Sequence, residues 1–444
     1  MGTKISIIGA GSAVFSLSLI RDLCLTPSLR GSTISFMDID QDRLDAAYVL
    51  CKRYAEEVGI DLDLRKTTDR RESLDGADFA INTALVAGHQ HMRDGFEIGL
   101  KHGYRFGGSY HIMHDEGFWI NYYQYRLFES VVQDMLELCP QAWLLLVANP
   151  VLAGVTYIGR KYPKAKLVGL CHGFRGVYRL ARVLGLDSEH LTFEIPGVNH
   201  FVWLTKCYHK GEDVYPMLDR YLDEHAQTDD PYGELRPKRV DLYRRFGIYP
   251  IGDTGGVGGG AWPWWYHTDA ETEKRWREDP ASFWDGYFTR NAQRVAEIKR
   301  VAADSSIRVT DFFPPRASGE VMVAIIESMV CDTPRVIIGN ILNSGGFVPG
   351  VPQDFEAEIP LLVSKRGIEG IQTSPLPDAV LSYVLIDRVG PVNLELMAYD
   401  QGSKELLLQL VMMDPWTRSE GQARSLLDDI LALPYHQEMR EHYR

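Results

Sequence analysis

The chain opens with "KISIIGAGSAVFSLSLIRDL", where an isoleucine-rich run gives way to a glycine turn and then to apolar positions at helical spacing. The run is too short for a helix, so its β-branched content predicts a buried strand, followed by a turn and a helix. "STISFMDID" predicts a second strand ending in two acids, and "QDRLDAAYVLCKRYAEEV" an amphipathic helix. "ADFAINTALVAG" predicts another buried strand. "VVQDMLELCPQAWLLLVANPV" predicts a helix and a strand ending at Asn149-Pro150, and "KAKLVGLCHG" a strand that stops at Cys171. Unbroken apolar strands alternating with helices predict an α/β fold, a doubly wound, Rossmann-like parallel sheet.

From about residue 191 the alternation weakens. Trp and Tyr become frequent, and glycine-rich loops such as "IGDTGGVGGGAWPWWY" enter. This predicts a boundary near Glu189, with a Rossmann-like domain over 1–189 and an α+β domain over 190–444 that holds the substrate and metal sites. At 444 residues the chain suits two or three domains.

Composition narrows the function. With 45% hydrophobic and 24% charged residues the chain reads as globular rather than disordered. A formal charge of −13 argues against a nucleic-acid partner, which needs a basic face. No run approaches the ~20 apolar residues of a membrane span, so a membrane role is not expected. The six cysteines (24, 51, 139, 171, 207, 331) lack a disulfide-framework spacing, which points to a reducing cytoplasm.

Two places carry chemistry. In "GAGSA", Gly9 permits a tight turn and Gly11 lets the backbone approach a pyrophosphate at a helix N-terminus, although Val14 stands where the dinucleotide fingerprint has its third small residue. Asp38 closes the second strand, where a carboxylate accepts bonds from a ribose hydroxyl and favours NAD over NADP. The second place is Cys171 with His172, and His200 in "GVNHF". Cys171 ends a predicted parallel strand, where open α/β sheets place their ligands. A Cys and a His alone leave coordination positions open, as a catalytic metal needs. A buried cysteine and a structural histidine are the alternative.

The chain resembles glycoside hydrolase family 4, the NAD- and divalent-metal-dependent glycosidases, nearly end to end. The resemblance rests on "IIGAGSA", "MDID", "INTA", "ANPV", "CHGF", "GVNHFVW", "RFGIYPIGD", "SGE" at 318–320 and "NILNSGGFVPGVPQDFEAEIP". It implies a lactate/malate dehydrogenase-like N-terminal fold, with Ser12 and Asn82 joining Gly9, Gly11 and Asp38 at the NAD site. It implies a divalent metal, usually manganese, on Cys171 and His200, and sugar contacts from Asn149. The family's chemistry is oxidation at the sugar's C3, proton removal at C2, elimination at C1, water addition and re-reduction. Asp253 stands where some members carry the C2 base; Tyr249 is the alternative.

"CHGF" is similar to the Cys-His-Gly pattern of the α-glucuronidase branch, which implies an α-glycoside of glucuronic or galacturonic acid as the small-molecule substrate. A neutral α-glucoside or α-galactoside is the alternative within the family, and a lactate/malate-type NAD dehydrogenase outside it. A uronic acid needs a cation for its carboxylate, for which Arg93 and Arg175 are candidates. His172 is the candidate to protonate the leaving oxygen. Trp262 to Tyr266 read either as a sugar-stacking wall or as core packing. The family's usual Gly-Asp-Thr and Gly-Pro-Gly-Gly stretch is replaced by "HIMHDEGFWINYYQYR", so no role carries over to Asp115 or Glu116. A homodimer or homotetramer is the assembly the resemblance implies.

Overall fold

A computed structural model describes residues 2–86, 88–256 and 262–444. Six parallel strands form its first half: β1 (Lys4–Ile8), β2 (Thr33–Met37), β3 (Asp63–Thr67), β4 (Phe79–Asn82), β5 (Trp143–Leu146) and β6 (Lys166–Gly169). Their order in the sheet is β3-β2-β1-β4-β5-β6, the doubly wound dinucleotide-binding order, with the switch point between β1 and β4. Four of these strands are almost wholly buried and β6 is buried over its second half, and all five are largely apolar, which is why they were legible in the sequence. The exception is β3, "DLRKT", at the sheet's edge with its side chains exposed or half-buried. Edge strands are commonly charged, so hydrophobic patterning gives no sign of this one.

The helices pack as the periodicity predicts. Helix α1 (Ala13–Cys24) follows β1 directly and buries Leu17, Leu19, Ile20 and Leu23. Helix α2 (Gln41–Val58) is capped by the Asp40 side chain, which accepts from the Arg43 amide, and ends at Gly59 in the left-handed conformation. Helix α3 (Arg70–Leu74) is one turn, α4 (Gly88–Lys101) leads into the loop before α5 (Phe118–Leu138), and α6 (Val151–Lys161) joins β5 to β6.

The strands of the second half fall into two groups. A three-stranded sheet does form, from β7 (Leu191–Glu194), β10 (Lys206–His209) and β11 (Glu212–Asp213). The other strands, β8 (Gly197–Val198), β9 (Phe201–Leu204), β12 (Tyr249–Ile251), β13 (Arg335–Leu342), β14 (Glu356–Ser364) and β15 (Gly367–Gly370), extend the parallel sheet to twelve strands. The junction is antiparallel: Asn340 on β13 faces Gly169 on β6, and its side-chain amide donates to the Gly169 carbonyl at 3.0 Å. The main sheet therefore continues past residue 189, and one apolar core runs beneath both halves.

Candidate functional site

Five adjacent parallel strands, β2, β1, β4, β5 and β6, deliver a chemistry-bearing residue at or just beyond their C-terminal ends: Asp38, Gly9, Asn82, Asn149 and Cys171. Gly9 has a φ of +84°, and a Cβ there would lie 2.6 Å from the backbone of Ala84. The Gly11 amide donates to Asp38 Oδ2 at 2.8 Å, and a Cβ on Gly11 would meet the same oxygen at 2.6 Å. Ser12 is the N-cap of α1 but its side chain makes no cap bond, so it leaves the Ala13 and Val14 amides at the helix start to an anion. Asn82 is fully buried; its Oδ1 accepts from the Ala84 amide at 3.0 Å, while its Nδ2 has no partner among the described residues. A side-chain-free turn, an uncapped helix start, an orphaned amide and a carboxylate at the end of β2 fit a dinucleotide.

Cys171 follows β6, its sulfur accepting from the Gly173 amide at 3.4 Å. His200 sits at the tip of the β8–β9 hairpin and is buried. Its Nδ1 lies 2.9 Å from Glu116 Oε1, and its Nε2 lies 3.5 Å from Asp253 Oδ2. The Cys171 sulfur lies at the same place: a Cβ on the neighbouring Gly173 would meet Cys171 Sγ at 3.7 Å, Gly252, next to Asp253, at 3.7 Å and Glu358 Oε1 at 3.8 Å. Burial opposes the charged imidazole, but the neighbouring sulfur and the Glu116 carboxylate outweigh it, and the pKa of His200 rises well above the usual histidine value. Burial, reinforced by Glu358, pushes the Cys171 thiol up as well. One sulfur and one imidazole nitrogen are a donor pair that suits a divalent transition cation, with positions left for substrate.

Several residues at this place were not foreseen. His114, Asp115, Glu116 and His200 bring ligand atoms within 4.8 Å of one another. Here His114 Nδ1 pairs with Asp115 Oδ1 at 2.8 Å, and the Asn149 side chain donates to Asp115 Oδ2 at 2.9 Å. Although burial works against the Asp115 carboxylate, His114, His200 and Asn149 hold its pKa far below the usual carboxylate value. Glu358 on β14 is buried, and burial pushes its carboxyl up to about 7. Glu356, two residues earlier, is pushed well above the usual range by the same cause. The sequence did hold a signal: "EAEIPLLV" places two glutamates on one face of an otherwise apolar strand.

The remaining predicted residues scatter around this centre. His172, half exposed, points Nδ1 at Glu320 Oε2 across 3.5 Å. A cleft beside Cys171 and His172 is closed by Gly319, Glu320 and Val321. Arg175 is exposed; its guanidinium abuts Gly319, where a Cβ would lie 2.9 Å away. Arg93, on α4, is exposed and lies over the Phe288 ring at 4.8 Å. Tyr249 is buried in a second core with Ile251 and Val240, its ring 6.3 Å from that of Tyr243, and burial raises its phenol. Trp262 packs against Phe201 at 4.9 Å inside the main core, so this part of the aromatic run is packing rather than a sugar platform. Residues 257–261 of the glycine loop lie outside the described residues.

Comparison with known proteins gives a consistent picture. Residues 4–186 match Family 4 glycosyl hydrolase, and residues 195–417 match the Family 4 glycosyl hydrolase C-terminal domain. The chain is 26% identical to an alpha-galactosidase of Bacillus subtilis, over 97% of each protein. It is 24% identical to an alpha-galacturonidase of Thermoanaerobacterium saccharolyticum, over 86% of this chain and 84% of that one. Among solved structures it superposes with a TM-score of 0.80 on a 6-phospho-alpha-glucosidase from gut microorganisms in complex with NAD and Mn2+. That match has 20% identity and covers 98% of each chain.

Proposed function

The chain belongs to glycosyl hydrolase family 4, and from that premise we propose that it cleaves α-glycosides of a uronic acid, galacturonic or glucuronic, with NAD and Mn2+ as cofactors. The observation that carries the reading is the convergence of Cys171, His200 and Asp253 beside a dinucleotide cradle on the same edge of the sheet. The solved relative with NAD and Mn2+ supports the cofactors, and the alpha-galacturonidase relative supports the substrate class.

Once bound, NAD would supply a hydride acceptor for the sugar, and the cation a Lewis acid. Gly9, Gly11 and Ser12 hold the pyrophosphate, with Asp38 on the ribose and Asn82 alongside. Cys171, as thiolate, and His200 would hold the cation. Asp253, 3.5 Å from His200 Nε2 and half exposed, takes the C2 proton. Tyr249 is the less favoured base, because a buried phenol with a raised pKa gives up its proton poorly. Asn149 holds sugar hydroxyls and is itself fixed by Asp115. His172, backed by Glu320, protonates the leaving oxygen. For the C6 carboxylate, Arg175 at the cleft mouth is favoured over Arg93, whose guanidinium already covers an aromatic ring.

The test is cleavage of nitrophenyl α-galacturonide, α-glucuronide, α-galactoside and α-glucoside with NAD, Mn2+ and a thiol reductant, each then omitted in turn. Turnover of a uronide that vanishes without NAD or metal is the expected result. Preference for the α-galactoside would move the specificity to that of the Bacillus subtilis relative. Net NADH formation on a hydroxy acid, with no glycoside cleaved, would overturn the hydrolytic reading.

A further inference from the structure

Asn199 and His200 are the two residues that turn the chain between β8 and β9, since Val198 pairs with Phe201. His200 occupies the left-handed region, with a φ of +61°, in a place where a hairpin ordinarily carries glycine or asparagine. A residue with a side chain stays there only when its surroundings impose the conformation, and such residues gather at functional sites.

The surroundings here are two carboxyls. The Asn199 amide donates to Glu356 Oε2 at 3.0 Å, and the Asn199 side-chain amide donates to Glu358 Oε2 at 2.9 Å. All three residues are buried. The two glutamates alternate along β14 and so share a face, while Gly197, beside the turn, is the direct β14 partner of Glu358. A Cβ on Gly197 would sit 2.2 Å from the Phe201 carbonyl, so the hairpin must run this close to itself.

Burying two neighbouring carboxyls is costly, and apolar side chains of similar volume would fill the strand without that cost. Their position makes sense as a grip on the turn. We propose that Glu356 and Glu358 are positioning residues for His200: through Asn199 they fix the hairpin tip in the left-handed backbone that aims the imidazole at Cys171 and Asp253. This rests on the reading of Cys171 and His200 as the metal-holding pair. Asp253 belongs to the same unit, because the Val202 amide donates to Thr254 Oγ1 at 2.8 Å and that hydroxyl donates back to the Val202 carbonyl at 2.9 Å.

The experiment measures Mn2+ affinity calorimetrically on the NAD-loaded protein, with NAD affinity and melting temperature recorded for every variant. Glu358→Leu removes the acceptor for the Asn199 side chain, and Mn2+ affinity is expected to fall about 10- to 100-fold with NAD affinity unchanged. Glu358→Gln keeps an acceptor oxygen and should stay within about threefold of the parent, since the grip needs a hydrogen bond rather than a charge. Asn199→Ala keeps the bond to Glu356 and loses the one to Glu358; should Glu358→Leu not fold, a fall of about tenfold or more in this variant is the expected result. Parent-like affinity in Glu358→Leu or Asn199→Ala overturns the proposal. An equal loss in Glu358→Gln and Glu358→Leu does so too, because the carboxylate would then be acting on the metal itself. Cys171→Ser separates the two failures: if it binds Mn2+ as the parent does, the metal-site reading is the one that falls.

Discussion

His200 Nδ1 lies 2.9 Å from Glu116 Oε1, with both side chains buried. A metal-binding histidine commonly gives its second ring N–H to a carboxylate, which fixes the ring and strengthens the other nitrogen as a ligand. The pairing here leaves Nε2 on the side of Asp253, 3.5 Å from its Oδ2. Glu116→Gln is therefore expected to weaken Mn2+ activation about tenfold. The midpoint of a manganese titration of turnover reads this directly, and an unmoved midpoint would show that Glu116 does not orient the ligand.

Gly11 and Asp38 make the corresponding pair at the dinucleotide end. A methyl group on Gly11 would lie 2.6 Å from Asp38 Oδ2 and 2.9 Å from the Arg43 side chain, so Gly11→Ala must push the end of β2 away from the turn. NAD affinity, followed by fluorescence titration, is expected to drop about 100-fold, the loss of two or so good hydrogen bonds. A change under threefold would mean that the turn does not carry the pyrophosphate.

The sequence showed these two ends unequally. The dinucleotide cradle was legible because its determinants are local: a glycine turn between a buried strand and a helix, then an acid closing the next strand. Cys171 and His200 were visible as ligand types, but their partners were not. Glu116, Glu356, Glu358 and Glu320 reach the site from segments remote in sequence. Only the sheet's continuation through β13 and β14 brings the two β14 glutamates beside the hairpin. Strand β3 escaped notice for a different reason, since it is an edge strand with charged, outward side chains. The aromatic run "WPWWY" was ambiguous because a buried tryptophan and a sugar platform look the same in one dimension.

Cys171 separates metal binding from dinucleotide binding. In the sheet β4 and β5 stand between β1, which leads into the Gly9–Ser12 turn, and β6, which leads to Cys171, so Cys171→Ser is expected to reduce turnover at least about 1,000-fold while NAD affinity stays within about twofold. A parallel loss of NAD affinity would show that the two sites are one cooperative unit. A cation bound to the sulfur would occupy the lone pair that attacks an alkylating agent, so alkylation should be slowed by Mn2+.

Asp253 and Tyr249 can be told apart as the C2 base by isotope exchange. Asp253 is half exposed and reaches toward His200, whereas Tyr249 lies within the second core. Asp253→Asn is expected to slow exchange of the C2 proton into deuterated water about 100- to 10,000-fold, and Tyr249→Phe less than about fivefold. The reverse pattern would transfer the role to the tyrosine.

His436 gives the fold a pH limit that does not depend on catalysis. It is fully buried near the C-terminus, its Nδ1–H donating to the Ile430 carbonyl at 2.8 Å and its ring edge-on to Tyr435 at 4.7 Å. Burial lowers its pKa to about 4. The folded chain thus holds this proton less tightly than the unfolded chain, whose histidine titrates near 6.5. The stabilisation is complete above about pH 6.5 and is lost progressively as the pH falls toward 4, by roughly 2 kcal/mol at pH 5. His436→Asn keeps a neutral donor for the Ile430 carbonyl but cannot take up the proton. Its stability should fall less between pH 7.5 and pH 5 than that of the parent, measured by denaturant unfolding at each pH. Carboxylates lose their pairings over the same range in both proteins, so the difference between the two slopes isolates the histidine. Equal slopes would mean that His436 is already protonated, or solvated, in the folded chain.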